Sequence, residues 1–156
     1  MITKLYSAAL QGVEAREVEV EVNARRSEKP RTIIVGLPDA AVRESAERVH
    51  SALSSSALRK EDGIHTVNIA PADLKKEGPS FDLPIALAMA ACGAGTAIPD
   101  LHRHAVVGEL ALDGSVRPVK GVLSVALEAK RRGRTRLLVP SVNAPEAAVI
   151  DGIEVF

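Results

Sequence analysis

Residues 13–22, VEAREVEVEV, place Val18, Val20 and Val22 on one side and glutamates on the other. A period of two is the mark of a strand with one buried face. Residues 3–10 read as its partner strand, with Gly12 near the turn between them. Helical patterns follow further along, so the valine face can be covered by helices from the same chain. Asp39 is placed to cap a helix running to about Leu53, with Val42, Ala46, Val49 and Leu53 as its apolar stripe. Arg43, Glu44, Glu47 and Arg48 then line the other side, which reads as a solvated helix face.

The remaining segments extend this pattern. NARRSEKPR, residues 23–31, reads as a polar loop, and TIIVG as a short buried strand ending in the turn GLPD. HTVNIAP is another strand. The helix predicted from Asp82 to Ala91 is apolar nearly all round and is therefore expected in the core. Pro84 fits only its first turn, which puts the cap at Phe81 or Asp82. HAVVGELAL and VRPV flank DGS, a hairpin signal. Residues 120–132 read as a helix with Val122, Leu123, Ala126 and Leu127 inward, ending in basic residues and Gly133. TRLLVP and IEVF read as strands, and Asn143-Ala144-Pro145 opens a short helix between them. The order is two strands, then β–α units with a hairpin in the middle. It predicts one domain over residues 1–156, α/β (α+β) in class, with a mixed sheet.

Composition removes several functions. Twenty basic side chains balance twenty acidic ones, so no overall field draws the chain to nucleic acid or to a membrane surface. Tyr6, Phe81 and Phe156 are its only aromatics, too few for a platform that stacks single-stranded bases. Cys92 is its single cysteine and has no internal disulfide partner. No apolar leader opens the chain, and the run Leu83–Cys92 is too short to cross a bilayer. A cytoplasmic protein without a membrane partner is expected.

No phosphate-loop motif of the form G-x-x-x-x-G-K-[ST] occurs, and Gly93-Ala94-Gly95 follows a helix and reads as its stop. His50, His65, His102 and His104 include one pair, HRH, but no acidic or cysteine partner stands at metal-ligand spacing, so the segment reads as a loop and no metal site is expected. Lys75, Lys76, Arg117 and Lys120 form one basic group, a candidate for nucleic-acid phosphates. Lys130, Arg131, Arg132, Arg134 and Arg136 form another, explained mainly by favourable charge at a helix C-terminus. In KKEGPSFDLPIALAMA, Ser80 precedes a helix whose N–H groups suit an oxyanion, but a nucleophile also needs a base within reach. A helix-start serine is otherwise a cap or turn residue.

Taken together, IVGLPDAAVRESAERV, VNIAPADLKKEGPSFDLPIALA, VGELALDGSVRPVKGVLSVALEAKRRG and LLVPSVNAPEAA resemble the N-terminal domain of magnesium-chelatase-like AAA+ ATPases of the ComM/YifB type. The resemblance covers nearly the whole chain. It departs from the family at NARRSEKPR, where a stretch like GLPGF is usual. It implies the ribosomal protein S5 domain 2-like fold, shared with the proteolytic domain of Lon. It also implies a following AAA+ module after residue 156, which would carry ATP and magnesium. No cofactor is expected in this chain itself. The expected partners are that module, further copies in a hexamer, and branched or single-stranded DNA handled in recombination and natural transformation.

By the same resemblance, EGPSFDLPIA places Ser80 where Lon carries its nucleophile. Lon's lysine is expected five residues beyond the proline matched by Pro118, and Leu123 stands there. Lys120 lies one helical turn earlier. The resemblance thus points to a non-catalytic interaction domain. A Ser–Lys peptidase using Ser80 and a magnesium-chelatase-type partner are its alternatives.

Overall fold

The computed structural model describes residues 1–58, 60, 62–93 and 98–156. The first two strands, β1 (Ile2–Gln11) and β2 (Glu14–Arg25), form an antiparallel hairpin with Gln11 opposite Glu14. Gly12 turns it with φ +62°, a left-handed conformation that glycine adopts without a Cβ penalty. Val18, Val20 and Val22 are buried, as the alternation predicts.

β3 (Arg31–Val35) leads to α1 (Ala40–Ser55), and β4 (Ile64–Ala70) returns to the sheet. β4 pairs antiparallel with β2 as far as Arg25↔Ile64 and parallel with β3 from Arg31↔Ile64. That double pairing carries β2 into the polar sequence and reduces the expected 23–31 loop to residues 26–30. Backbone ladder bonds have overridden side-chain polarity here.

α2 (Asp82–Cys92) follows a single 3-10 turn over Pro79–Phe81, and Gly93 ends it by donating its N–H to Ala90 O. Ala94 and Gly95 of the expected stop lie outside the described residues. HAVVGELAL does not remain one strand. It divides into β5 (His104–Val106) and β6 (Glu109–Leu110), the latter pairing with β7 (Val116–Arg117) in a separate small sheet. The division falls at Gly108, whose backbone is held elsewhere: Gly108 N donates to Ser80 O and Leu83 N donates to Gly108 O, each at 3.0 Å.

α3 (Val122–Arg131) is capped by Gly121, where an added Cβ would meet Leu10 Cδ1 at 2.6 Å. β8 (Arg136–Leu138), α4 (Ala144–Ala147) and β9 (Glu154–Val155) complete the chain. The main sheet runs β3-β4-β2-β1-β5-β8-β9 and is mixed: β2 is antiparallel to both neighbours and the other pairs are parallel. α1 and α2 cover one face over a core that includes Leu5, Val20, Val49, Ile69, Phe81 and Ile85. α3 covers part of the other face through Val122, Val125, Ala126 and Ala129. Among the described residues, no helix is long and apolar enough to cross a membrane.

Two helical stripes differ from their sequence patterns. Leu123 and Leu127, expected inward, are 38% and 52% exposed, because α3 presents its valine and alanine face to the sheet. On α1, Ser45 and Ala52 join the buried face, while Ala46 is only half-buried.

Glu128 is the buried polar residue of α3. It accepts hydrogen bonds from Glu17 N at 3.2 Å and Arg132 Nε at 2.9 Å, and it pairs with Arg131 Nη2 at 2.6 Å. Burial alone would raise its pKa, but Arg132, the Glu17 amide and Arg131 outweigh that effect and hold it below the 4.5 of an unperturbed glutamate. A carboxylate depressed on folding contributes stability that is present above its unfolded pKa and lost as pH falls through the folded one. Glu128→Gln is therefore expected to unfold more easily than the parent at pH 7, with the deficit shrinking as pH falls below 4.5. Thermal melts across that range check this, and a deficit independent of pH would contradict it.

Candidate functional site

The Ser80 cleft is built from loop ends that converge beside the start of α2. Gly78, at φ +80°, redirects the chain into Pro79-Ser80-Phe81, and the wholly buried Phe81 anchors the turn in the core. Ser80 is half-buried, and among the described residues its hydroxyl has no hydrogen-bond partner. A cleft of about 370 Å³ opens beside it, lined by Leu10, Glu77–Ser80, Glu109 and Pro118–Lys120. Sequence residues forty apart thus meet in one place, with Ser80 and the exposed Lys120 on the same cleft.

Lys120 is not alone there. Glu77 and Glu109 line the same space. Leu123, at the expected position of the Lon lysine, lies at the start of α3, where its amide donates to Glu146 Oε1 at 3.1 Å.

The basic group predicted around Lys75, Lys76, Arg117 and Lys120 loses one member. Lys76 has no exposed surface, and its Nζ donates to the carbonyls of Gly36 and Pro71. Burial lowers its pKa, with Asp73 acting weakly in the opposite sense. It ties the turn before α1 to the segment after β4 and cannot reach a phosphate outside. Lys75, Arg117 and Lys120 remain exposed, with Lys75 paired to Glu77 at 3.1 Å.

Sequence reasoning missed the polar centre behind the cleft. Asp82 is completely buried and receives Arg48 Nε at 2.7 Å, Arg48 Nη2 at 3.0 Å, the Leu110 amide at 3.1 Å and the Ser45 hydroxyl. Arg48, expected on a solvated face, turns inward to pair with this carboxylate, the one ion pair Asp82 makes among the described residues. The Asp82 hydrogen bond raises the Arg48 pKa against the opposing effect of partial burial. One side chain therefore joins α1, α2 and β6. An acid opening an otherwise apolar helix was the available signal.

The other expected groups lie elsewhere. His104 is buried with Nδ1 in contact with Asp100 O at 2.9 Å, whereas His102 is exposed and its carbonyl accepts from Arg134 Nη1. Among the described residues, no three His, Cys, Asp or Glu side chains converge as metal ligands. Arg134 stacks over Tyr6 at 3.4 Å and pairs with Glu17, while Arg131 and Arg132 hold Glu128.

The sheet order, the covering helices and the placing of Ser80 before α2 can be set against known families. Residues 18–143 match the model for subunit ChlI of magnesium chelatase. The chain belongs to this family. Within the ChlI-like family, it is 40% identical over 146 residues to competence protein ComM of Haemophilus influenzae, covering 94% of this chain and 28% of that protein. It is 39% identical over 148 residues to the uncharacterized protein YifB of Escherichia coli, covering 95% of this chain and 29% of that one. Lon protease 2 of Thermus thermophilus matches at 32% over 130 residues, 78% of this chain and 16% of the protease. The chain thus spans less than a third of the length of these relatives, and its mixed α/β architecture is consistent with a Lon-like, ChlI-type N-terminal domain.

Proposed function

We propose that residues 1–156 form a non-catalytic interaction domain of a ComM-type AAA+ ATPase. In this reading, an ATPase module elsewhere in the longer protein binds ATP and magnesium, and the assembled protein, a hexamer, works on branched or single-stranded DNA. The domain supports ring assembly and guides DNA, with Lys75, Arg117 and Lys120 as its phosphate-facing cations. The identity to ComM over nearly the whole chain supports the assignment to such a protein. The observation that carries the non-catalytic part is Leu123, an apolar side chain that stands at the start of α3 where the Lon lysine is expected and that does not line the Ser80 cleft.

Removing residues 1–156 from the longer protein is expected to impair ring assembly and DNA-stimulated ATP turnover while leaving an intact nucleotide site. Sedimentation and ATPase assays of the two forms test this. Unchanged assembly and unchanged DNA response in the truncated protein would reject an interaction role.

One observation favours a second reading, a Ser–Lys peptidase: Ser80 and Lys120 border the same cleft. In that mechanism a neutral Lys120 amine accepts the Ser80 hydroxyl proton as Oγ attacks a peptide carbonyl. Leu123 at the expected lysine position weighs against it.

A further inference from the structure

The β2–β3 loop and the free edge of β3 have no part in the reading above. β3 is the terminal strand of the main sheet and pairs on one side only, with β4. Between this edge and α1 lies a cleft of about 370 Å³ that shares no lining residue with the Ser80 cleft. Arg31 enters its lining from the start of β3, His50 from α1 and Lys60 from the connection to β4, joined by Thr32 and the carboxylate of Glu47.

Among the described residues, the side chains of Arg31, His50 and Lys60 have no ion-pair or hydrogen-bond partner. Arg48, Arg134, Arg131 and Arg132, by contrast, are each engaged by a carboxylate. The Arg31 backbone is also well fixed. Its amide donates to Gly63 O at 3.1 Å, and Arg31 pairs with Ile64 in the parallel ladder of β3 and β4.

The donor set defines the ligand chemistry. Among the described residues, a guanidinium fork, an ammonium, a hydroxyl and an imidazole meet one acidic group, Glu47, in a space large enough for a tetrahedral anion. Several acceptor oxygens spread around one centre suit these donors better than the two oxygens of a carboxylate. We propose that this cleft binds a phosphate group, with Arg31 and Lys60 supplying its charge contacts. The phosphate can come from a small phosphate ester or from a nucleic-acid backbone. The inference is independent of the role assigned to Ser80.

Inorganic phosphate and a DNA duplex are titrated separately into the isotopically labelled 156-residue chain. Ionic strength is held constant and chloride serves as the control, while the His50 ring and Arg31 side-chain resonances are followed. The expected result is a saturable movement with phosphate that the combined change Arg31→Gln and Lys60→Gln weakens by about ten-fold or more. The combined change Lys75→Ala, Arg117→Ala and Lys120→Ala is expected to leave that movement intact. DNA that moves the same resonances and competes with phosphate identifies a backbone site, and phosphate alone doing so identifies a small-ester site. No saturable movement beyond the chloride control, or equal affinity in the Arg31/Lys60 variant with its fold intact by circular dichroism, overturns the proposal.

Discussion

Asp82→Ala is expected to lower the unfolding free energy by about 3 kcal/mol, at the low end of the cost of removing one partner from a buried ion pair. The low end applies because the Arg48 side chain keeps 21% of its exposure and can recover some hydration. The change also strands the Ser45 hydroxyl and the Leu110 amide. Arg48→Ala should cost at least as much, since Asp82 has no exposed surface through which to be rehydrated. Urea unfolding of both single variants and the double variant gives the coupling between the two side chains. The double variant is expected to be less impaired than the sum of the singles. Additive losses, or a loss under about 1 kcal/mol for Asp82→Ala, would show that the network contributes little.

The second large effect belongs to Lys76. Lys76→Ala removes about three buried methylenes, each contributing roughly 0.8 kcal/mol, and leaves the Gly36 and Pro71 carbonyls without their donor. A total loss of about 3–5 kcal/mol is expected. Lys76→Met keeps most of the apolar stem and should lose only about 1–3 kcal/mol, the cost of the orphaned carbonyls. The turn they serve is demanding: Leu37 sits at φ +60°, and a Cβ on Gly36 would lie 2.1 Å from Ile69 O. Burial also gives the effect a sign with pH. A lysine whose folded pKa is lowered releases its proton earlier in the folded state, so its contribution to stability rises as pH climbs through the folded value toward 10.5. The methionine variant should lack that rise. Equal losses for alanine and methionine would instead assign the whole effect to the polar head.

These two residues also mark where sequence reading stops. The valine alternation of β2 was legible because a half-buried strand repeats every two residues and no other element does. The Asp39 cap was legible for a similar reason: its Oδ1 accepts from Val42 N at 2.8 Å, a purely local bond. Lys76, within KKEG, carried every local sign of a surface residue. It is buried because chain segments distant in sequence close around it and two backbone carbonyls replace its water. Arg48 likewise followed a surface pattern until Asp82, 34 residues away, supplied its partner. Leu123 shows the reverse error, since a stripe wide enough for leucines was filled by smaller side chains packed closer to the sheet.

Of the candidate site, Ser80 at the start of α2 was legible from Gly78-Pro79 and the apolar run that follows. Its neighbours were only partly so. Resemblance suggested the Pro118–Lys120 segment, and the structure brings that segment to the Ser80 cleft. Glu109 was not legible, because its place there depends on the break at Gly108 that turns the chain out of the main sheet.

The non-catalytic reading of that cleft is tested most directly on the purified 156-residue chain. Unfolded casein is incubated with the parent chain and with Ser80→Ala, and a fluorophosphonate probe is applied in parallel, with Lys120→Ala as a further variant. No casein cleavage above background and no labelling of Ser80 are expected. Casein cleavage by the parent that Ser80→Ala abolishes, or Ser80 labelling that Lys120→Ala removes, would contradict the non-catalytic reading and establish the Ser–Lys peptidase.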